Sequence, residues 1–93
     1  MEPIIQATYE EDIFAVREQL AAGVDINYTD HTGWTPLMYA CCSENPMFVR
    51  QLIKLGADPW IQSPNGGTAA SIAERNGCHD VAKLLLATWD DYH

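Results

Sequence analysis

The chain is poor in basic residues, and this shortage excludes two kinds of partner. Its 93 residues hold 5 lysines and arginines against 13 aspartates and glutamates, so the formal charge is −8 at pH 7. Direct nucleic-acid binding is unfavourable at that charge, because phosphate is held mainly by basic side chains. An anionic membrane surface would repel the chain for the same reason. We therefore expect neither nucleic acid nor membrane as a direct partner.

Long apolar runs are also absent, and cysteine is scarce. No run approaches the roughly 18 residues that a membrane-spanning helix needs. The acidic start of the sequence lacks the basic stretch that opens a signal peptide. Cys41 and Cys42 are adjacent and Cys78 is left over, an arrangement that disfavours a disulfide framework. These features predict a reducing, cytoplasmic location.

Motifs that carry chemistry are few. Asn65-Gly66-Gly67 lacks the lysine of a phosphate-binding loop and is typical of a tight turn. Cys78-His79 has no partner cluster with metal-ligand spacing. Cys42 and His31 suggest a nucleophile and a base, but no orienting group or oxyanion site accompanies them. We expect no catalytic residue, no metal site, no cofactor and no small-molecule substrate.

What the sequence does contain is a repeat with a period of 33 residues. Gly33-Trp34-Thr35-Pro36-Leu37 has a weaker echo one period later in Gly66-Gly67-Thr68-Ala69-Ala70. The same offset holds along the chain at Ala7, Ala40 and Ala73, at Arg17, Arg50 and Lys83, and at Leu20, Ile53 and Leu86. A period between about 20 and 50 residues is typical of stacked-repeat proteins.

Each unit is predicted to be a turn followed by two short helices. Thr35 is a good N-cap, and Pro36 fits the first helical position. Pro46 can begin a second helix, and Gly56 lies where a left-handed residue ends one. A pair of helices this short cannot bury its apolar stripe alone, so neighbouring units must stack.

Thr35-Pro36-Leu37-Met38-Tyr39-Ala40 resembles the T-P-L-H-x-A opening of the ankyrin repeat, whose period is about 33 residues. Gly56-Ala57-Asp58 is similar to the Gly-Ala-Asp segment that closes the family's repeat. The resemblance covers the whole chain. It implies an all-α repeat solenoid, an ankyrin-like stack of three helix-loop-helix repeats with short hairpin loops. The expected single domain is 1–93, with repeats at approximately 1–27, 28–60 and 61–93.

The chain departs from the family pattern in two respects. The histidine that ties neighbouring loops in the family is replaced in every repeat, by Ile5, Met38 and Ser71. Trp60 stands where the family usually has asparagine, so the junction between the second and third repeats is expected to be non-standard. At the end of the chain, Trp89 and Tyr92 are expected to cover the last core layer.

The resemblance also implies a binding surface. In ankyrin-like arrays, the hairpin tips and the outer face of the first helices form a concave groove that binds other proteins. The predicted partner-binding residues are Tyr9 and Glu10 in the first repeat; Asp30, His31, Thr32, Trp34, Cys42 and Ser43 in the second; and Pro64, Asn65, Gly67, Arg75 and Asn76 in the third.

Two of the three tryptophans leave alternatives open. Tyr9 and Trp34 are large aromatics of the type that often dominates binding energy. Trp34 can equally serve to pack neighbouring hairpins together. Trp60 is either a second anchor beside the groove or a filler between repeats.

Charge indicates the kind of partner. Glu10, Asp30 and Glu44 fall on or beside the groove, where Arg75 is the only base, so a basic surface would be attracted. The alternative is that the charge merely keeps the protein soluble. We expect a non-enzymatic protein–protein interaction module, most concretely an acidic inhibitor or immunity-type protein. It would mask its partner through its concave face and be a monomer when unbound. The alternative function is a structural scaffold or subunit that self-associates or stacks on further repeats.

Overall fold

The computed structural model describes residues 2–87, which contain six helices. They are α1 (Pro3–Tyr9), α2 (Ile13–Ala21), α3 (Pro36–Ala40), α4 (Pro46–Lys54), α5 (Ala69–Arg75) and α6 (His79–Ala87), with no strand in that range. Consecutive helices pair, and the pairs stack in chain order. This is the all-helical repeat stack that the 33-residue period predicts. The expected contributions of Trp89 and Tyr92 lie outside the described residues.

The first helices of the second and third pairs begin at threonine caps, as the sequence predicts for Thr35. The Thr35 hydroxyl accepts the Met38 N–H at 3.3 Å, and the Thr68 hydroxyl accepts the Ser71 N–H at 3.4 Å. Met38 Sδ and Ser71 Oγ in turn accept the N–H groups of Thr35 and Thr68, at 3.5 and 2.9 Å. Two of the residues that replace the family's histidine therefore close a capping box.

The core is continuous through the three helix pairs. The first helices stack on one another, α1 on α3 and α3 on α5, while α4 packs on α6. Small buried residues such as Ala40 and Ala73 allow the first helices to approach closely. The largest fully buried side chains of the shared core include Leu37, Leu52 and Leu85. Burying each of them stabilises the fold by roughly 1.5–3 kcal/mol.

The two junctions between repeats are built from different residues. Asn27 joins the first repeat to the second, because its Oδ1 accepts the Asp58 N–H at 2.8 Å and its Nδ2 donates to the Gly56 carbonyl at 3.4 Å. The equivalent residue one period later is Trp60, which is half-buried. An indole has one donor and no acceptor, so it cannot repeat this pair of bonds.

Among residues 2–87, no helix has the length and apolar character that crossing a bilayer requires.

Candidate protein-binding site

The loop before α3 is organised by the carboxylate of Asp30. Asp30 Oδ1 accepts the Thr32 N–H at 2.9 Å and the Trp34 N–H at 3.1 Å, and the Thr32 hydroxyl also donates to it. Asp30 Oδ2 accepts the hydroxyl of Tyr39, which lies on α3. Four donors on one carboxylate fix the loop against the helix that follows it.

This network keeps Asp30 ionised. Partial burial would raise the pKa of Asp30, but the hydrogen bonds from Thr32, Tyr39 and Trp34 outweigh that effect and lower it to about 2. The pKa of Tyr39 is raised, first by burial and then by its bond to the Asp30 carboxylate. At neutral pH the pair is therefore a carboxylate anion held by a neutral phenol.

Three aromatic rings form a row across the first two repeats, which we call the aromatic row: Tyr9, Tyr39 and Trp34. The ring centroids of Tyr9 and Tyr39 lie 5.9 Å apart, and those of Trp34 and Tyr39 lie 5.2 Å apart. Both pairs are tilted, by 41° and 52°, within the range that aromatic pairs favour. Tyr9 is 65% exposed, whereas Trp34 is half-buried against the core. Trp34 thus both packs in the fold and presents a face to solvent.

Two clefts are each bordered by Tyr39. The Asp30 cleft has a volume of about 350 Å³ and is lined by Glu2, Ile5, Tyr28, Asp30, His31 and Tyr39. The Glu11 cleft has a volume of about 210 Å³ and is lined by Thr8, Tyr9, Glu11, Tyr39, Cys42 and Ser43. Each cleft combines tyrosine rings with at least one carboxylate.

Glu11 fastens the first helix pair to the second. Its Oε2 accepts the Asn45 side-chain amide at 2.6 Å, and its Oε1 accepts the Ser43 hydroxyl at 3.0 Å. Glu11 has a φ of 56°, in the left-handed region that residues other than glycine rarely adopt. The two bonds to the second repeat anchor its side chain at the edge of the Glu11 cleft.

The predicted residues of the third repeat lie next to those of the second. A Cβ placed on Gly33 would be 2.6 Å from Cγ of Pro64, so the loops before α3 and α5 touch there. Asn76 Nδ2 lies 4.0 Å from the Cys42 sulfur and donates to the Ile72 carbonyl at 2.8 Å.

Of the last three predicted residues, Asn65 and Gly67 belong to the loop before α5, and Arg75 ends that helix. The Gly67 N–H donates to Asn65 Oδ1 at 3.3 Å. A Cβ on Gly67 would lie 3.4 Å from the Arg75 guanidinium, which places that base beside the loop. This part of the surface carries small and polar side chains and the Arg75 cation.

Not every predicted residue joins the aromatic row. Glu10 is exposed and lines a separate cleft with residues of α1 and α2. His31 and Cys42 line different clefts, and burial raises the pKa of Cys42, which is the opposite of what an activated thiolate needs. Among residues 2–87, no three histidine, cysteine or acidic side chains are grouped as metal ligands.

Tyr39 and Glu11 also line the candidate site, and neither was predicted from the sequence. Tyr39 lies one helical turn before Cys42, which the sequence placed on the groove, so helical spacing was a usable signal. Glu11 offered no such signal, because its left-handed backbone and its two partners on the next repeat follow from the packed structure alone.

Comparison with known proteins agrees with this architecture. A family model described as ankyrin repeats, in three copies, matches residues 4–92. Protein phosphatase 1 regulatory subunit 27 of Mus musculus is 42% identical over 83 residues, which is 89% of this chain and 53% of that protein. The putative ankyrin repeat protein YahD of Escherichia coli K12 is 33% identical over 78 residues, 77% of this chain and 39% of that protein.

A third relative is the ankyrin repeat and LEM domain-containing protein 1 homolog of Caenorhabditis elegans, 42% identical over 62 residues. That match covers 67% of this chain and 9% of the relative. The chain thus spans about half the length of these relatives or less. Ankyrin repeats are non-catalytic modules that mediate protein–protein interaction. With three repeats matched across residues 4–92, the chain belongs to the ankyrin-repeat family.

Proposed function

We propose that this protein is a non-enzymatic binding module that captures another protein through its groove face. The groove face is the surface formed by the outer sides of α1, α3 and α5 and by the loops before α3 and α5. The aromatic row carries the proposal. Aromatic side chains on a rigid surface are frequent hot spots of binding, because little conformational freedom is lost when they are covered.

The partner is proposed to present a basic surface. Glu2, Glu11 and Asp30 line the two clefts beside the aromatic row, and the chain as a whole carries a charge of −8. Such a field attracts a basic protein and accelerates its association.

The proposed outcome of binding is inhibition, as in an immunity-type protein that masks a functional surface of its partner. The three helix pairs would act together as one domain spanning 1–93, monomeric when unbound. A mouse relative is by name a regulatory subunit of protein phosphatase 1, which accords with an action on an enzyme.

The test is capture of the partner from the source organism's lysate, identification by mass spectrometry, and binding measurements on the purified partner. The variant Tyr9→Ala, Trp34→Ala removes two rings of the aromatic row. Phe14→Ala, Met47→Ala is the matched control, because these side chains are 73% and 69% exposed and lie on the second helices. Circular dichroism establishes that both variants are folded.

We expect the groove variant to lose the partner, the control to retain it, and binding to weaken as salt rises. A partner kept by the groove variant and lost by the control would place binding on the second helices. Binding that does not respond to salt would overturn the basic-surface part of the proposal.

Self-association is the second candidate function, and the exposure of Phe14 and Met47 favours it. These residues occupy equivalent positions one period apart, in the first turns of α2 and α4. Exposed large apolar side chains in register can meet a second copy of the chain. Sedimentation at several concentrations separates the two functions. The mass of a self-associating scaffold rises with concentration, whereas the proposed binding module stays monomeric.

A further inference from the structure

We propose that the Glu11 cleft and the Asp30 cleft are two subsites that receive two arginine side chains from one short segment of the partner. This inference rests on the proposed function, since it names the chemistry of the segment that the groove face binds. It goes further by assigning a charge and a shape to each cleft.

The Glu11 cleft offers two tyrosine faces and a carboxylate with spare capacity. The rings of Tyr9 and Tyr39 border it, with centroids 5.9 Å apart. Each Glu11 oxygen accepts one hydrogen bond from the second repeat. A carboxylate has about four lone-pair sites, so two remain for an incoming donor.

The Asp30 cleft also combines tyrosine faces with negative charge, but its free acceptor is Glu2, because Asp30 already accepts four hydrogen bonds. Tyr28 and Tyr39 border it, together with the carboxylates of Asp30 and Glu2. The Glu2 side chain does not cap α1, although it lies at the start of that helix. The pKa of Tyr28 is raised, chiefly by desolvation and further by the negative charges of Glu2 and Asp30. A cation in this cleft would therefore enter a negative field.

The lysines and arginines of the protein lie away from both clefts. Arg17, Arg50, Lys54 and Lys83 are on the second helices, and Arg75 ends α5 in the third repeat. Exposed His31 is the one histidine that lines either cleft. Within residues 2–87, no lysine or arginine lines either cleft to neutralise its carboxylates.

Arginine fits these clefts better than lysine does. Its planar guanidinium can stack on a tyrosine face while its N–H groups reach a carboxylate, and it is less strongly hydrated than an ammonium group. The two clefts share Tyr39 as a wall, so the two side chains must come from residues close together in the partner. Alternate residues of an extended segment, roughly 7 Å apart and on one side of the chain, meet this requirement.

The test uses a capped peptide with two arginines separated by one glycine, titrated into the full chain and followed by NMR of the tyrosine rings. The control peptides carry citrulline, which keeps the shape without the charge, or lysine at both positions. We expect the arginine peptide to shift the rings of Tyr9, Tyr28 and Tyr39, with the lysine peptide binding several-fold more weakly. The citrulline peptide should cause no shift at the same concentration.

Variants then test the carboxylates one at a time. Glu11→Gln removes the charge and keeps one acceptor oxygen, for one of the two donors Ser43 and Asn45. We expect about a ten-fold loss of peptide affinity. Glu44→Gln is the matched control, because Glu44 is the equivalent residue one period later. Its carboxylate accepts the Asp80 N–H at 3.2 Å, outside both clefts. Tyr9→Leu tests the ring without touching any carboxylate and should also weaken binding.

Several results would overturn the inference. Equal binding of the citrulline peptide would show that charge plays no part, and equal binding of the lysine peptide would refute the choice of arginine. Equal losses in Glu11→Gln and Glu44→Gln would reduce the effect to overall charge. The purified partner separates the two proposals. If Tyr9→Ala, Trp34→Ala loses it while Glu11→Gln and Glu2→Gln bind it normally, the groove face is supported and the arginine subsites are refuted.

Discussion

Loops 30–34 and 63–67 have the same backbone hydrogen-bond pattern, but their side chains form different surfaces. In each loop the first residue donates its N–H to the carbonyl of the fifth, at 3.0 Å from Asp30 to Trp34 and at 2.8 Å from Ser63 to Gly67. In each, the glycine at the fourth position donates back to the first residue, at 2.9 and 2.8 Å. The repeat therefore reproduces the fold of the loop without reproducing its side chains.

The side chains decide what each loop can bind. Asp30 gathers Thr32, Trp34 and Tyr39 around its carboxylate and so builds the aromatic row. In the third repeat, Ser63 donates its hydroxyl to Asn65, and glycine takes the place of Trp34. The comparison indicates that the period preserves the scaffold while recognition depends on residues that differ between repeats.

The largest expected effect is a loss of stability that differs between the two glycines of these loops. Gly33 and Gly66 have φ angles of 82° and 86°, so alanine at either position costs about 1–2 kcal/mol of backbone strain. A Cβ at Gly33 would also lie 2.6 Å from Pro64, whereas a Cβ at Gly66 meets nothing within 4 Å. We expect Gly33→Ala to lower the free energy of unfolding by about 2–4 kcal/mol, and Gly66→Ala by about 1–2 kcal/mol. Urea unfolding measures both losses. If they are equal, Pro64 moves aside without cost.

The next prediction gives loop 30–34 the first residue of loop 63–67, a serine. Asp30→Ser leaves the Trp34 N–H and the Tyr39 hydroxyl without their carboxylate, and we expect a loss of about 1–3 kcal/mol. Ser63→Ala is the control and should cost about 1 kcal/mol or less, because it removes a neutral hydroxyl. Urea unfolding measures both. If the two losses are equal, the Asp30 network adds nothing to its loop.

Lowering the pH should remove part of the stabilisation that Asp30 gives the folded protein. Its pKa is about 2 in the folded protein against an ordinary 3.8, so the unfolded chain takes up this proton first as pH falls. The contribution of Asp30 is complete above pH 4 and is lost between about pH 4 and pH 2. It is on the order of 1 kcal/mol once solvent screening is allowed for. The stability gap between wild type and Asp30→Asn, followed by thermal melts, should narrow across that window. A gap that stays constant would contradict the lowered pKa.

The smallest effect comes from a single hydroxyl. Tyr39→Phe keeps the ring in the aromatic row but removes the bond to Asp30, and we expect a loss of about 0.5–1.5 kcal/mol with a higher pKa for Asp30. Tyr28→Phe is the control, since Tyr28 does not donate to Asp30. NMR titration of the Asp30 carboxyl reads the pKa directly. An unchanged pKa in Tyr39→Phe would remove Tyr39 from the network.

The features that could be predicted from sequence are those that repeat or act locally. The 33-residue period and the cap at Thr35 predict stacked helix pairs, because capping and apolar spacing involve neighbours along the chain. The bridge from Asn27 to Asp58 joins residues 31 positions apart and is fixed only by how the repeats stack. The left-handed conformation of Glu11 depends likewise on packing. Helical spacing could have predicted the position of Tyr39. Its bond to Asp30 could not be predicted, because it depends on the conformation of the folded loop.

We propose that recognition lies at the first two repeats of the groove face. The most direct measurement compares Tyr9→Ala with Arg75→Ala, because Tyr9 and Arg75 occupy equivalent positions two periods apart. With the purified partner, we predict that Tyr9→Ala raises Kd at least ten-fold. Arg75→Ala should leave Kd unchanged or lower it, since it removes a cation from a surface that attracts basic proteins. A large loss in Arg75→Ala together with normal binding by Tyr9→Ala would contradict the claim.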